Sequence, residues 1–160
     1  MANFNVAGKK FDGAFCTVDT FRHLFTDDEA VSHLQNVARH LRENSIYILG
    51  LHLLPRRGIS QKVHRWSGTR GRLTVHSNIT VLDINSKQRK ETLGYTLRVD
   101  KQKYQSIYKL RTYTRSQFEK LLAKAGCFEV IKVYDLDYNP EKPVLLNSDT
   151  EEAVFILRKK

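Results

Sequence analysis

The sequence predicts an α/β fold interrupted by an antiparallel β meander, and three observations predict it. A strand, a capped helix and a second strand follow one another over residues 11–53. A second capped helix begins at Thr114 and leads into two further apolar runs. Between them, several stretches of residues 62–113 alternate apolar and polar side chains, the period-2 pattern of half-buried strands. With 160 residues, 41% hydrophobic and 28% charged, the chain has the size and apolar content of one packed domain. The expected organisation is a single domain, 1–160. Residues 1–54 and 112–160 make an α/β half, and residues 55–111 make a basic β insert.

Phe11 to Val18, FDGAFCTV, is a nearly continuous apolar run and reads as a strand buried on both faces. Thr26-Asp27-Asp28-Glu29 is a capping box, with three acidic side chains suited to the positive end of a helix. Ala30, Val31, Leu34, Val37, Ala38 and Leu41 then recur at helical spacing. Asn44 reads as the left-handed cap after Leu41-Arg42-Glu43. Ile46 to Leu53 is the second buried strand, so a βαβ unit with a right-handed crossover is expected. Candidate meander strands cover Lys62–Ser67, Leu73–Asp83, Thr92–Asp100 and Tyr104–Tyr113. Gly68, Gly71 and Asn85-Ser86-Lys87 supply turn chemistry. Thr114 and Gln117 form another capping box, Phe118, Leu121, Leu122 and Ala125 an apolar face, and Gly126 a C-cap. Phe128–Tyr134 and Ala153–Leu157 are the last strands, joined by a loop with Pro140 and Pro143.

Charge is strongly segregated. The chain carries +10, but Pro55 to Arg115 alone holds 15 Lys and Arg against 3 Asp and Glu, a net of +12. Such a field attracts phosphates, nucleotides or RNA, although a solvated basic surface has the same composition. Arg56, Arg57, Arg70, Arg72, Arg89 and Lys90 fall at turns, within reach of an anion. No apolar run of about 18 residues is present, which argues against a spanning helix. Cys16 and Cys127 are too few for a disulfide framework or a structural zinc site, so a reduced, cytoplasmic protein is expected. His64 and His76 lack companion ligands, and no metal site is predicted.

The α/β portions resemble class I S-adenosylmethionine-dependent methyltransferases. Phe11-Asp12 is similar to the Phe-Asp pair that opens the family's fourth strand. Leu41-Arg42-Glu43-Asn44-Ser45 stands where the family has a Leu-Arg-Pro-Gly-Gly-like turn before its fifth strand. Arg111-Thr112-Tyr113-Thr114 with SQFEKLLAKAGCFEVIKVYD resembles the later helix and sixth strand, with Cys127 between Gly126 and Phe128. AVFIL resembles the seventh strand. The Gly-rich cofactor loop after the family's first strand has no counterpart among glycines 8, 13, 50, 58, 68, 71, 94 and 126. The resemblance therefore implies the carboxyl-terminal part of such an enzyme. From the family order 3-2-1-4-5-7-6 it implies a partial Rossmann-like sheet ordered 4-5-7-6. Residues 13–18 would then form an exposed edge, expected to recruit a second copy or a covering partner.

The resemblance also nominates site residues. It implies methyl transfer to N or O of an unidentified acceptor, with S-adenosylmethionine as cofactor and weak binding or activity in this chain alone. Asn3, Phe4, Cys16 and Thr17 would contact the cofactor; Phe4 can equally pack under Phe11, and Cys16 can be a small buried hydrophobe. Asp19 and His23, just past the strand tip, would orient or deprotonate the acceptor. Arg22, His52, Arg65, Trp66, Arg111 and Tyr113 are candidate substrate contacts. His52 reads equally as a buried, hydrogen-bonded residue and Trp66 as a packing anchor. The alternative function is a non-catalytic module that holds RNA or another polyanion on the basic insert.

Overall fold

A computed structural model describes residues 1–6 and 8–160. They form two compact units, Met1–Gly58 with Tyr113–Lys160, and Ile59–Thr112. The first unit holds β1 (Phe11–Cys16), a 3-10 turn (Thr20–His23), α1 (Asp27–His40), β2 (Leu41–His52), α2 (Arg115–Ala125), β7 (Phe128–Tyr134) and β8 (Glu152–Lys159). The second holds β3 (Val63–Arg70), β4 (Leu73–Asn85), β5 (Lys90–Val99) and β6 (Gln102–Arg111).

The sheet of the first unit is ordered β1-β2-β8-β7. β1 and β2 are parallel, and β8 runs antiparallel to both β2 and β7. This is the half-sheet expected from the 4-5-7-6 order. α1 begins at the capping box: Thr26 Oγ1 accepts from Glu29 N at 3.1 Å, and Thr26 N donates to Glu29 Oε2 at 2.9 Å. The Thr114–Gln117 box opens α2 in the same way, and Gly126 closes it at φ 71. α1 packs on α2. Alternate residues of β2, Ser45, Tyr47, Leu49 and Leu51, are buried, while Ile46 and Ile48 between them are half-buried. Phe21, Leu34, Tyr113, Phe118, Phe155 and Leu157 complete the core. Phe118 and Phe155 pack with tilted rings, centres 4.6 Å apart.

Three expectations change in the first unit. α1 ends at His40, because Leu41 is already extended and turns its side chain into the core, 1% exposed. Asn44 is left-handed at φ 61, but inside β2, where the pairing with β1 jumps from Phe11–Leu41 to Gly13–Ile46. Its left-handed backbone absorbs that irregularity instead of ending a helix. β1 is not buried on both faces. It has one strand neighbour, and Phe11 and Phe15 are 40% and 79% exposed.

The second unit is a meander ordered β3-β4-β5-β6, antiparallel throughout. Gly71 makes the β3–β4 turn at φ 62. Gly68 is not a turn residue. It lies in β3 beneath Trp66, where a Cβ would stand 3.0 Å from the indole ring. Among the described residues, no helix is long and apolar enough to cross a membrane.

Candidate active site

The parallel pair β1–β2 brings two carboxyl ends to the same edge of the sheet, the usual ligand edge of open α/β sheets. Past β1, the backbone turns sharply. Val18 and Asp19 both take positive φ, 51 and 63, and Asp19 N donates to Gly50 O at 3.3 Å. The loop lies close over β2 here: a Cβ on Gly50 would meet Thr17 Cα and Val18 N at 3.6 Å. Aspartate tolerates the left-handed region better than most residues, which suits it to this corner.

That corner aims the Asp19 carboxylate at the end of β2. Its Oδ1 accepts from His52 N at 2.8 Å, and its Oδ2 lies 2.7 Å from His52 Nδ1 and 3.1 Å from an Arg22 guanidinium nitrogen. Arg22 is buried, 5% exposed along its side chain. Burial by itself would favour the neutral acid. The His52 hydrogen bonds and the Arg22 charge overcome it and hold the Asp19 carboxyl down at about 2. In return, the Asp19 hydrogen bond raises His52 against the opposing effect of its burial. The far ring nitrogen, Nε2, is 3.7 Å from Glu152 Oε1, and the His52 side chain is one-third exposed. Asp19 therefore holds the Nδ1 side of the ring, and Nε2 faces Glu152.

Beneath the tip lies a second polar cluster. His33 Nε2 and the Tyr47 hydroxyl are 3.0 Å apart, both buried, and the Cys16 thiol hydrogen-bonds the same Tyr47. Burial pushes the Cys16 thiol and the Tyr47 hydroxyl up and the His33 imidazole down, so all three stay neutral at ordinary pH. The N-terminal segment runs alongside α1: Met1 O meets His33 Nδ1 at 3.1 Å, Asn3 Oδ1 accepts from Ser32 Oγ at 3.0 Å, and Phe4 O accepts from Asn36 Nδ2 at 2.8 Å. The Phe4 ring lies against His40, centres 5.0 Å apart. Phe4 and Cys16, with Phe11, Phe15, His33 and Tyr47, line an apolar groove of about 450 Å³.

The structure thus joins Asp19, Arg22 and His52 in one cluster. It sets Phe4 and Cys16 on one groove and Asn3 beside it. Thr17 is half-buried at the tip, its carbonyl accepting from Thr20 Oγ1 at 3.1 Å. His23 is exposed at the end of the 3-10 turn. Tyr113 is fully buried between Phe21 and Phe118, inside the core. Arg65, Trp66 and Arg111 belong to the second unit. Arg111 is buried there, opposite Lys90, and Trp66 is 64% exposed. Arg65 and Trp66 are neighbours in β3, and atoms of both line one depression on the meander. Glu152 and Tyr47 were not singled out from the sequence. Glu152 comes to His52 only through the antiparallel β2–β8 register, which sets the two directly across from each other and which no local sequence pattern carries.

No family model matches the sequence, and no curated protein matches it. Solved structures do match in fold. An S-adenosylmethionine-dependent methyltransferase from Clostridium acetobutylicum superposes with a TM-score of 0.71 at 17% identity, covering 98% of this chain and 61% of its own. The S-adenosylmethionine-bound amino pentose methyltransferase of Micromonospora echinaspora gives 0.70 at 18%, covering 99% and 62%. A sugar N-methyltransferase from Streptoalloteichus gives 0.63 at 15%, covering 97% and 59%. The chain has a class I methyltransferase-like α/β fold, over a span about three-fifths the length of the enzymes it matches.

Proposed function

We propose that this chain forms the acceptor-side part of an S-adenosylmethionine-dependent methyltransferase acting on a nucleophilic N or O. The likeness in fold to such enzymes along nearly the whole chain carries this reading. Two of the neighbours are named for sugar or amino pentose substrates, which favours an amine on a polyhydroxylated body as the acceptor.

The residues present fit one end of the cofactor. The Phe4 ring and the groove beside Cys16 offer an apolar wall for a flat heterocycle. Among the described residues no carboxylate lines that groove to take ribose hydroxyls, and the sequence has no Gly-rich loop, so this chain alone holds the cofactor weakly. When bound, the cofactor supplies an electrophilic methyl group on a sulfonium. The chain supplies the proton chemistry. His52 Nε2 accepts the proton that the nucleophile sheds, and Asp19 stabilises the resulting imidazolium. Asp19 acts through His52 as a positioning residue, and Arg22 keeps Asp19 ionised. Much of the remaining work is orientation of the acceptor in line with the transferred group.

The test is a titration of the chain with S-adenosylhomocysteine, read by calorimetry and by backbone amide NMR. Shifts at Asn3, Phe4, Cys16 and Thr17, with millimolar affinity, are expected. No shift at millimolar ligand overturns the cofactor assignment. Micromolar affinity overturns the assignment of only a partial site to this chain.

A further inference from the structure

The meander has two chemically different faces. Its ladders set Arg65, Asn78, Thr96 and Gln105 in one row across the four strands, and Ser67, His76, Arg98 and Lys103 in the next. Rows two residues apart share a face. The intervening row, Trp66, Ser77, Leu97 and Tyr104, points the other way, as do Ile79 and Tyr95. One face is therefore cationic and polar and the opposite one aromatic and aliphatic.

The cationic face contains a depression of about 650 Å³, lined by Arg65, His76, Asn78, Thr96, Arg98 and Lys103, with Trp66 and Ser77 of the intervening row also contributing. Strand spacing puts these groups within a patch roughly 14 Å by 7 Å. The two rows contain no carboxylate, and among the described residues none forms an ion pair with Arg65, Arg98 or Lys103. Like charges gathered without a counter-ion repel one another, and a bound anion relieves that repulsion. Asn78 adds a second signal. Its Nδ2 donates to Thr80 Oγ1 at 3.4 Å, but its Oδ1 is buried with no partner. A buried acceptor of this kind is satisfied by a hydroxyl or amine donor.

We propose that this face of the meander is a binding site for a small, hydroxyl-bearing phosphate ester. Arg65, Arg98 and Lys103 take the phosphate, and Asn78 accepts from a ligand hydroxyl. The site stands independently of the methyl-transfer reading. Two features favour a compact ligand over RNA. The volume lies within the range of small-molecule pockets, about 300–1,000 Å³. The cations converge on one depression. Arg98 and Lys103 sit within strands, so a search for basic residues at turns passes over them.

The experiment titrates the chain with ribose 5-phosphate, inorganic phosphate and a mixed-sequence RNA 12-mer. It uses the unaltered protein, Arg98→Gln, Asn78→Leu, and Arg72→Gln in the β3–β4 turn. One saturable site for ribose 5-phosphate, tighter than for inorganic phosphate, is expected. Arg98→Gln should weaken it at least about fivefold, in keeping with loss of a charge-assisted hydrogen bond. Arg72→Gln should leave it unchanged, and Asn78→Leu should abolish the preference over inorganic phosphate. Equal affinity in the Arg98 and Arg72 variants overturns the proposal. So does RNA binding that strengthens with oligonucleotide length in the absence of a saturable ribose 5-phosphate site, which would mark an extended polyanion surface.

Discussion

Asp19→Asn isolates the charge at the centre of the candidate active site. Asparagine keeps the size, keeps an oxygen for the His52 amide and tolerates the left-handed backbone at φ 63, so no strain is added. What disappears is the ionised oxygen shared by His52 Nδ1 and Arg22. The Asp19 carboxyl sits at about 2 in the folded chain against an ordinary 3.8. That gap corresponds to roughly 2–3 kcal/mol in favour of the ionised form on folding. The side chain is 18% exposed, so solvent screening removes little of it. A depressed carboxyl stabilises the fold above its unfolded value, near 4, and the contribution is lost as pH falls through about 2. Urea denaturation should therefore show Asp19→Asn less stable by roughly 2 kcal/mol at neutral pH, with the difference closing towards pH 2. His52 works with the opposite sign. Its raised value stabilises the fold below its ordinary range, and the contribution is lost as pH rises through the folded value. NMR titration of the His52 ring should show that value falling in the variant. A stability difference equal at neutral and acid pH, or an unmoved His52, would refute the reasoning.

Two further predictions concern the neighbouring elements. Tyr47→Phe removes the partner of the buried His33 Nε2 and of the Cys16 thiol. Chemical denaturation should show a loss of roughly 1–3 kcal/mol, the cost of stranding a buried polar group, and a loss below about 0.5 kcal/mol would show that another group takes over. The open edge of β1, with Phe15 79% exposed, is expected to draw a second copy into association. Sedimentation should show concentration-dependent self-association that Phe15→Lys suppresses, and a protein monomeric at every concentration would exclude it.

Local chemistry was legible in the sequence. Both capping boxes, the Gly126 cap and the apolar stripes of α1 and α2 depend on residues within one turn or one face of each other. The meander followed from a period of two. The half-sheet order came through the resemblance, since strand order depends on pairings between residues more than a hundred positions apart. The end of α1 was misplaced because Leu41 satisfies the helical stripe and the core equally well, and packing chose the core.

The sequence by itself determined the elements, their amphipathic faces and the concentration of positive charge between residues 55 and 115. Only the tertiary structure decided which functional groups meet. Asp19 reaches His52 because β1 and β2 are parallel and the loop turns through two positive-φ residues onto β2. Glu152 faces His52 because β8 runs antiparallel in one register. Tyr113 is withdrawn from the surface because Phe21 and Phe118 enclose it, and Arg65, Arg98 and Lys103 share a face because three ladders hold their rows aligned. Local propensity acts over a few residues, while a site is assembled by long-range pairing, and no single segment contains that information.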